Sequence, residues 1–138
     1  MVVALHPKSE QNEFLFNNRR CFKYKTGQLV NDSEFVITHG STSVSFAVLF
    51  KKPILFIFTD EIKKTHYHNT YASILALADE LGSKIINVDD YDKNNINLIS
   101  SINCKKYEQY KYRYLTSIFS EKQLTKDIVI NHLLKAST

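Results

Sequence analysis

From Glu34 to Phe58 the chain reads EFVITHGSTSVSFAVLFKKPILFIF, and the changes of pattern along it decide the fold. Phe35 to Thr38 is a short apolar run that predicts a strand. Val44 to Phe50 puts Val44, Ala47, Val48 and Leu49 on one face at helical spacing. Ile54 to Phe58 is unbroken apolar sequence, which is how a parallel strand covered on both faces reads. Pro53 separates the last two elements, because the residue before a proline is driven out of the α region. Strand, helix and buried strand in that order make a βαβ unit, with its expected right-handed crossover.

The turn inside this unit, Thr38-His39-Gly40-Ser41-Thr42-Ser43, carries the chemistry. The first N–H groups of a helix lack intrahelical partners, and the peptide dipoles leave partial positive charge there, so phosphate suits the position. Gly40 permits a positive φ or a close backbone approach, and the three hydroxyls after it either cap the helix or donate to phosphate oxygens.

Working outward, Val2 to Leu5 is a β-branched run ended by His6-Pro7, where the missing proline N–H turns strand into loop. Asn12 to Arg20 is polar and irregular. Cys21 to Tyr24 is a strand candidate and Thr26 to Asp32 a short helix. Asp60 to Thr65 reads as a charged loop. From His66 to Leu81 a helix is predicted by Tyr71, Ile74, Leu75, Ala78 and Leu81, with Gly82 in place for a C-terminal cap. Lys84 to Val88 gives another strand, Asp89 to Asp92 a turn, and the rest to Leu134 two or three helices. No linker divides the chain. Residues 1–138 are therefore read as one α/β domain closed by C-terminal helices.

Composition excludes several classes. Hydrophobic residues are 43% and charged residues 23%, as in globular domains, and no apolar run approaches the roughly 20 residues of a membrane span. No signal peptide is visible. Cys21 and Cys104 stand far apart without a CxxC, which predicts reduced cysteines in a cytoplasmic protein. The net charge of +4 gathers in Lys105, Lys106, Lys111, Arg113, Lys122 and Lys126. Tyr107, Tyr110, Tyr114 and Ile118 interleave with these at helical spacing and predict a core-facing stripe, leaving the cations as a solvated face. With no recognisable binding motif, no nucleic-acid partner is expected. Weak attraction to anionic lipid stays open, which would place the protein peripherally on the inner face of the membrane.

His6-Pro7 after a first strand, the hydroxyl-rich turn at Gly40 to Ser43, a helix, Lys52-Pro53 and a buried strand together resemble the C-terminal half of GT-B glycosyltransferases of bacterial surface and capsular polysaccharide. The likeness is to sialyltransferases and polysialyltransferases, with an HP motif and a Ser/Ser-Thr motif that hold the donor nucleotide, and to CDP-glycerol-using teichoic-acid polymerases. It covers Val2 to about Val88. It implies a Rossmann-like parallel sheet flanked by helices, half of a GT-B fold, that binds a CMP-, CDP- or UDP-linked donor. It also implies an N-terminal GT-B domain as partner in cis or in trans, the chain being a fragment or a split subunit. No cofactor and no metal are expected.

The resemblance puts His6, with Pro7, on the donor side, where an imidazole can contact a phosphate or assist the leaving group. It puts Ser41, Thr42 and Ser43 on the donor phosphate, with His39 and Gly40 in the same pocket, although many relatives differ at the His39 position. Asp60 comes after the buried strand and so opens onto the carboxyl edge of the sheet, where it is either a hydroxyl acceptor or a solvated loop residue. His66-Tyr67-His68 has no zinc spacing, since residues two apart do not share a helix face. His68 is instead expected near the donor pocket. Two other readings are a nucleotide-sugar 2-epimerase half, disfavoured because Val44 to Phe50 lacks that family's acidic residue, and a non-catalytic interaction module.

Overall fold

The computed structural model describes residues 1–10, 13–64, 68–90 and 101–136. In chain order the elements are β1 (Val3–Leu5), a 3-10 turn (Glu13–Phe16), β2 (Cys21–Lys23), α1 (Thr26–Asp32), β3 (Val36–Thr38), α2 (Val44–Leu49), β4 (Ile54–Phe58), α3 (Asp60–Lys64), α4 (His68–Leu81), β5 (Lys84–Asn87), α5 (Cys104–Tyr110), a π turn (Lys111–Leu115) and α6 (Thr125–Ala136). All strand pairings are parallel, and the fold is α/β with helices flanking the strands, a small Rossmann-like arrangement. The strands form two sheets: a two-stranded one, β1-β2, and a three-stranded one ordered β3-β4-β5.

β4 is the centre of the larger sheet. Ile37 pairs with Leu55 on one side and Phe56 with Ile85 on the other. Successive side chains alternate between faces. Ile54 and Phe56 enter a core made with Val30 of α1, Val44, Ala47 and Val48 of α2, Ile74, Ala78 and Leu81 of α4, and Tyr107 of α5. Phe56, Ile74, Ala47 and Leu81 are fully buried. The other face is covered unevenly: Leu55 is buried, while Ile37 of the flanking strand is 42% exposed.

Both crossover helices end in the same way. After α2, the Lys51 N–H donates to Val48 O at 3.2 Å and the Lys52 N–H to Ala47 O at 2.8 Å, with Lys51 at φ +52. After α4, the Gly82 N–H donates to Asp79 O at 3.1 Å and the Ser83 N–H to Ala78 O at 2.9 Å, with Gly82 at φ +62. These are Schellman closures, which satisfy the last carbonyls and turn the chain into the next strand. Gly82 occupies the expected cap position. Lys51 does the same work with a residue that ordinarily avoids positive φ.

Two elements differ from the sequence reading. The charged segment after β4 is a helical turn, α3, because Asp60 and Glu61 lie at its start and Lys63 and Lys64 at its end, complementing its dipole. The tyrosine stripe is core only at its beginning. Tyr107 is 4% exposed, but Tyr114 is 52% and Ile118 71% exposed, because α5 widens into the π turn and the chain is extended at Thr116. The Tyr107 hydroxyl donates to Lys52 O at 2.9 Å, tying α5 to the corner before β4. Burial pushes its pKa above the ordinary value, so it stays a neutral donor. Beyond it, α6 exposes Val129, Ile130 and Leu134. Cys21 is buried, its thiol donating to Arg19 O at 3.2 Å, and Cys104 is exposed; the two are not joined in a disulfide. The turn expected at Asp89 to Asp92 is described as far as Asp90, and His66 and Tyr67 lie outside the described residues. Among the described residues no helix is long and apolar enough to cross a membrane.

Phe56→Ala removes the side chain on which β4, α2 and α4 meet. It is expected to lower unfolding free energy by about 3–5 kcal/mol, whereas Ile37→Ser on the half-open face costs less than about 1 kcal/mol; urea denaturation of the two variants checks the contrast.

Candidate functional site

Because β3, β4 and β5 run parallel, the segments that leave their carboxyl ends lie along one edge of the sheet. The turn of residues 39–43 leaves β3 there, and α4 begins beyond the same end of β4. Gly40 has φ +96, and a Cβ built on it lies 3.2 Å from Cγ1 of Ile74. The positive φ favours glycine, and a Cβ there would need Ile74 to give by a few tenths of an ångström. The turn rests directly on α4, with no side chain between.

The chain then enters α2 through short i to i+3 bonds: the Val44 N–H to Ser41 O at 3.0 Å, Ser45 to Thr42 at 3.1 Å and Phe46 to Ser43 at 3.0 Å. Ser41 Oγ accepts from the Ser43 N–H at 3.2 Å, so the local cap comes from Ser41, while Ser43 makes no side-chain cap. The N–H groups of Ser41 and Thr42 have no partner among the described residues. α2 is only six residues long, so the donors here are individual N–H and hydroxyl groups more than a summed helix dipole.

Gly40, Ser41 and Thr42 form one wall of a cavity of about 420 Å³. α4 supplies Asn69, Thr70, Ser73 and Leu77, and Tyr110 at the end of α5 completes the lining of this open cavity. The volume falls in the range of small-ligand sites. Ser73 Oγ donates to Asn69 O at 2.8 Å, which leaves its oxygen lone pairs as acceptors. Thr42, Thr70 and the Asn69 amide add groups that both donate and accept.

Of the residues singled out in the sequence, the structure brings Gly40, Ser41 and Thr42 into this cavity. Ser43 is half-buried at the helix entry, and exposed His39 is next to the lining without belonging to it. His6 and Pro7 come after β1, a strand of the other sheet, and line a local turn. There the His6 Nδ1 accepts from the Lys8 N–H at 3.2 Å and its carbonyl from the Ser9 N–H at 2.9 Å. Asp60 is on the expected edge but in a separate network. Its carboxylate accepts from Asn87 Nδ2 at 3.0 Å and its N–H donates to Asp89 Oδ2 at 2.6 Å. Asn87 also donates to Asp90 at 2.8 Å. His68 opens α4 beside Asn69, and its side chain lies outside the described residues. Among the described residues, no three His, Cys, Asp or Glu side chains gather as a metal site.

Asn69, Thr70 and Ser73 were not named as site residues, and Tyr110 was expected in the core-facing stripe. The first three had a signal: at i, i+1 and i+4 they make a polar patch at the start of an otherwise apolar helical pattern. Tyr110 had none, since its spacing is that of a core stripe. Several cations nearby are paired. Lys106 meets Asp79 at 3.6 Å and Arg113 meets Glu80 at 3.4 Å, while Lys111 pairs with Glu121, whose pKa this contact lowers. No family model, no curated protein and no solved structure matches this chain.

Gly40→Ala forces a side chain into a left-handed backbone against Ile74. A loss of about 1–3 kcal/mol is expected, read as a lower denaturation midpoint, and a variant as stable as the parent would show that the turn does not need glycine.

Proposed function

We propose that this chain is the donor-nucleotide-binding domain of a glycosyltransferase that builds surface polysaccharide. The observation that carries the reading is the cavity between the turn of Gly40, Ser41 and Thr42 and the first turns of α4, at the carboxyl edge of a parallel sheet. Ligands of open α/β sheets bind at that edge. Unengaged N–H groups beside hydroxyls suit a phosphate. In this reading Ser41 and Thr42 hold the donor phosphate, and Asn69, Thr70 and Ser73 meet its remaining oxygens or the ribose. Donors preorganised around a leaving phosphate stabilise the charge that grows on it as the glycosidic bond breaks. Turnover requires an acceptor site and a base from a second domain, in cis or in trans. The use of activated nucleotides argues for the cytoplasmic side, free or at the membrane.

A second reading, a binding module without catalysis, is favoured by one observation: His6 and Asp60 fall outside the cavity lining. Acceptor-dependent release of free nucleotide, measured with the chain joined to a partner domain, separates the two.

The binding claim is tested by thermal shift with CMP, CDP and UDP and their sugar conjugates. A ligand at a hundred times its Kd stabilises the folded state by about 2.7 kcal/mol. Ser41→Ala combined with Thr42→Ala is expected to reduce the shift strongly while leaving the ligand-free midpoint within a few degrees of the parent. If the shift persists undiminished in that double variant, the Ser41 and Thr42 hydroxyls do not hold the phosphate.

A further inference from the structure

We propose that Tyr110, with Leu77 beside it, is the platform on which the flat ring of the nucleotide's base lies; this rests on the nucleotide reading above. The cavity has two chemically different ends. Ser41, Thr42, Asn69 and Thr70 make one, and Leu77 and Tyr110 make the other. Along α4, Leu77 lies one turn beyond Ser73 and two beyond Asn69, about 6–12 Å at 1.5 Å per residue. That is the scale of a nucleoside phosphate laid along the helix, with its charged end at the turn.

The tyrosine is held for this task. Tyr110 is half-buried and packs against the core, and its ring centroid is 4.8 Å from that of Tyr114 at an interplanar angle of 50°. A ring that packs against the core and Tyr114 and also lines the cavity loses little freedom when a base stacks on it. The backbone is unusual at this point. The π turn Lys111–Leu115 starts at the next residue, with the Thr116 N–H on Lys111 O at 3.1 Å. Single π turns are uncommon and concentrate at functional sites. This one ends the buried part of the helix and leaves Tyr110 at the cavity wall, between buried Tyr107 and exposed Tyr114. Stacking tolerates any base, so the platform supplies affinity for a nucleoside and leaves the choice of base to other groups.

Isothermal titration with CMP, UMP and ribose 5-phosphate tests the assignment. The parent chain is expected to bind the nucleoside monophosphates at least tenfold more tightly than ribose 5-phosphate. Tyr110→Ala should remove that advantage, weakening the nucleotides about tenfold or more while ribose 5-phosphate is unchanged. Tyr110→Phe should keep it. Tyr110→Leu preserves apolar volume without the ring and replaces the alanine variant if that one fails to fold. Nucleotide affinity unchanged in Tyr110→Leu or Tyr110→Ala overturns the platform. So does a parent chain that binds ribose 5-phosphate as well as CMP, and this outcome leaves the phosphate site standing. A parent chain that binds none of the three overturns the platform and the nucleotide reading together.

Discussion

The burial of β4 is the constraint on which the rest of the structure depends. A strand of consecutive apolar residues cannot leave either its backbone polar groups or its side chains to solvent. β4 therefore pairs on both edges, with β3 and β5, and Phe56 is fully buried in a core to which α2 and α4 contribute. Once β4 is central and its neighbours parallel, the connections have to be crossovers, and the helices of those crossovers supply the cover. Both helices then stop in Schellman closures that feed β4 and β5. Tyr107 adds a polar tie from α5 to Lys52, directly before the strand.

The position of the cavity is a result of that arrangement. Parallel strands put the turn after β3 and the start of α4 on one edge, and the missing side chain at Gly40 lets the turn sit on Ile74. Ile74 thus belongs to the core and supports the turn from beneath. The turn and α4 both contribute hydroxyl-bearing residues to the lining, α4 adds an amide, and Tyr110 from α5 completes it. Residues supplied by three separate segments make a specific arrangement of donors, acceptors and apolar surface that none of them has alone.

How much of this was legible depends on how local the cause is. Helix α1 was read at Thr26 to Asp32, where it is found, and β4 at Ile54 to Phe58, because apolar pattern, Pro53 and helix-compatible residues act over a few positions. The end of α4 at Gly82 was readable for the same reason. Tyr114 and Ile118 were misplaced in the core because periodicity assumes one continuous α-helix, and the π turn breaks the count. His6 and Asp60 illustrate another limit. Each was placed correctly at the end of a strand, yet β1 joins a separate sheet and Asp60 is taken up by Asn87.

By itself the sequence determined the α/β class, the order of the strands and of the helices between them, and a glycine turn after β3, since period, proline and hydroxyl-rich turns act through neighbours in the chain. Only the tertiary structure decided which side chains share a cavity. Asn69, Thr70 and Ser73 line one cavity with Ser41 and Thr42 because α2, α4 and β4 share one core, and Tyr110 joins them from a segment far along the chain. Such meetings depend on the packing of whole elements, and no spacing along the sequence encodes them.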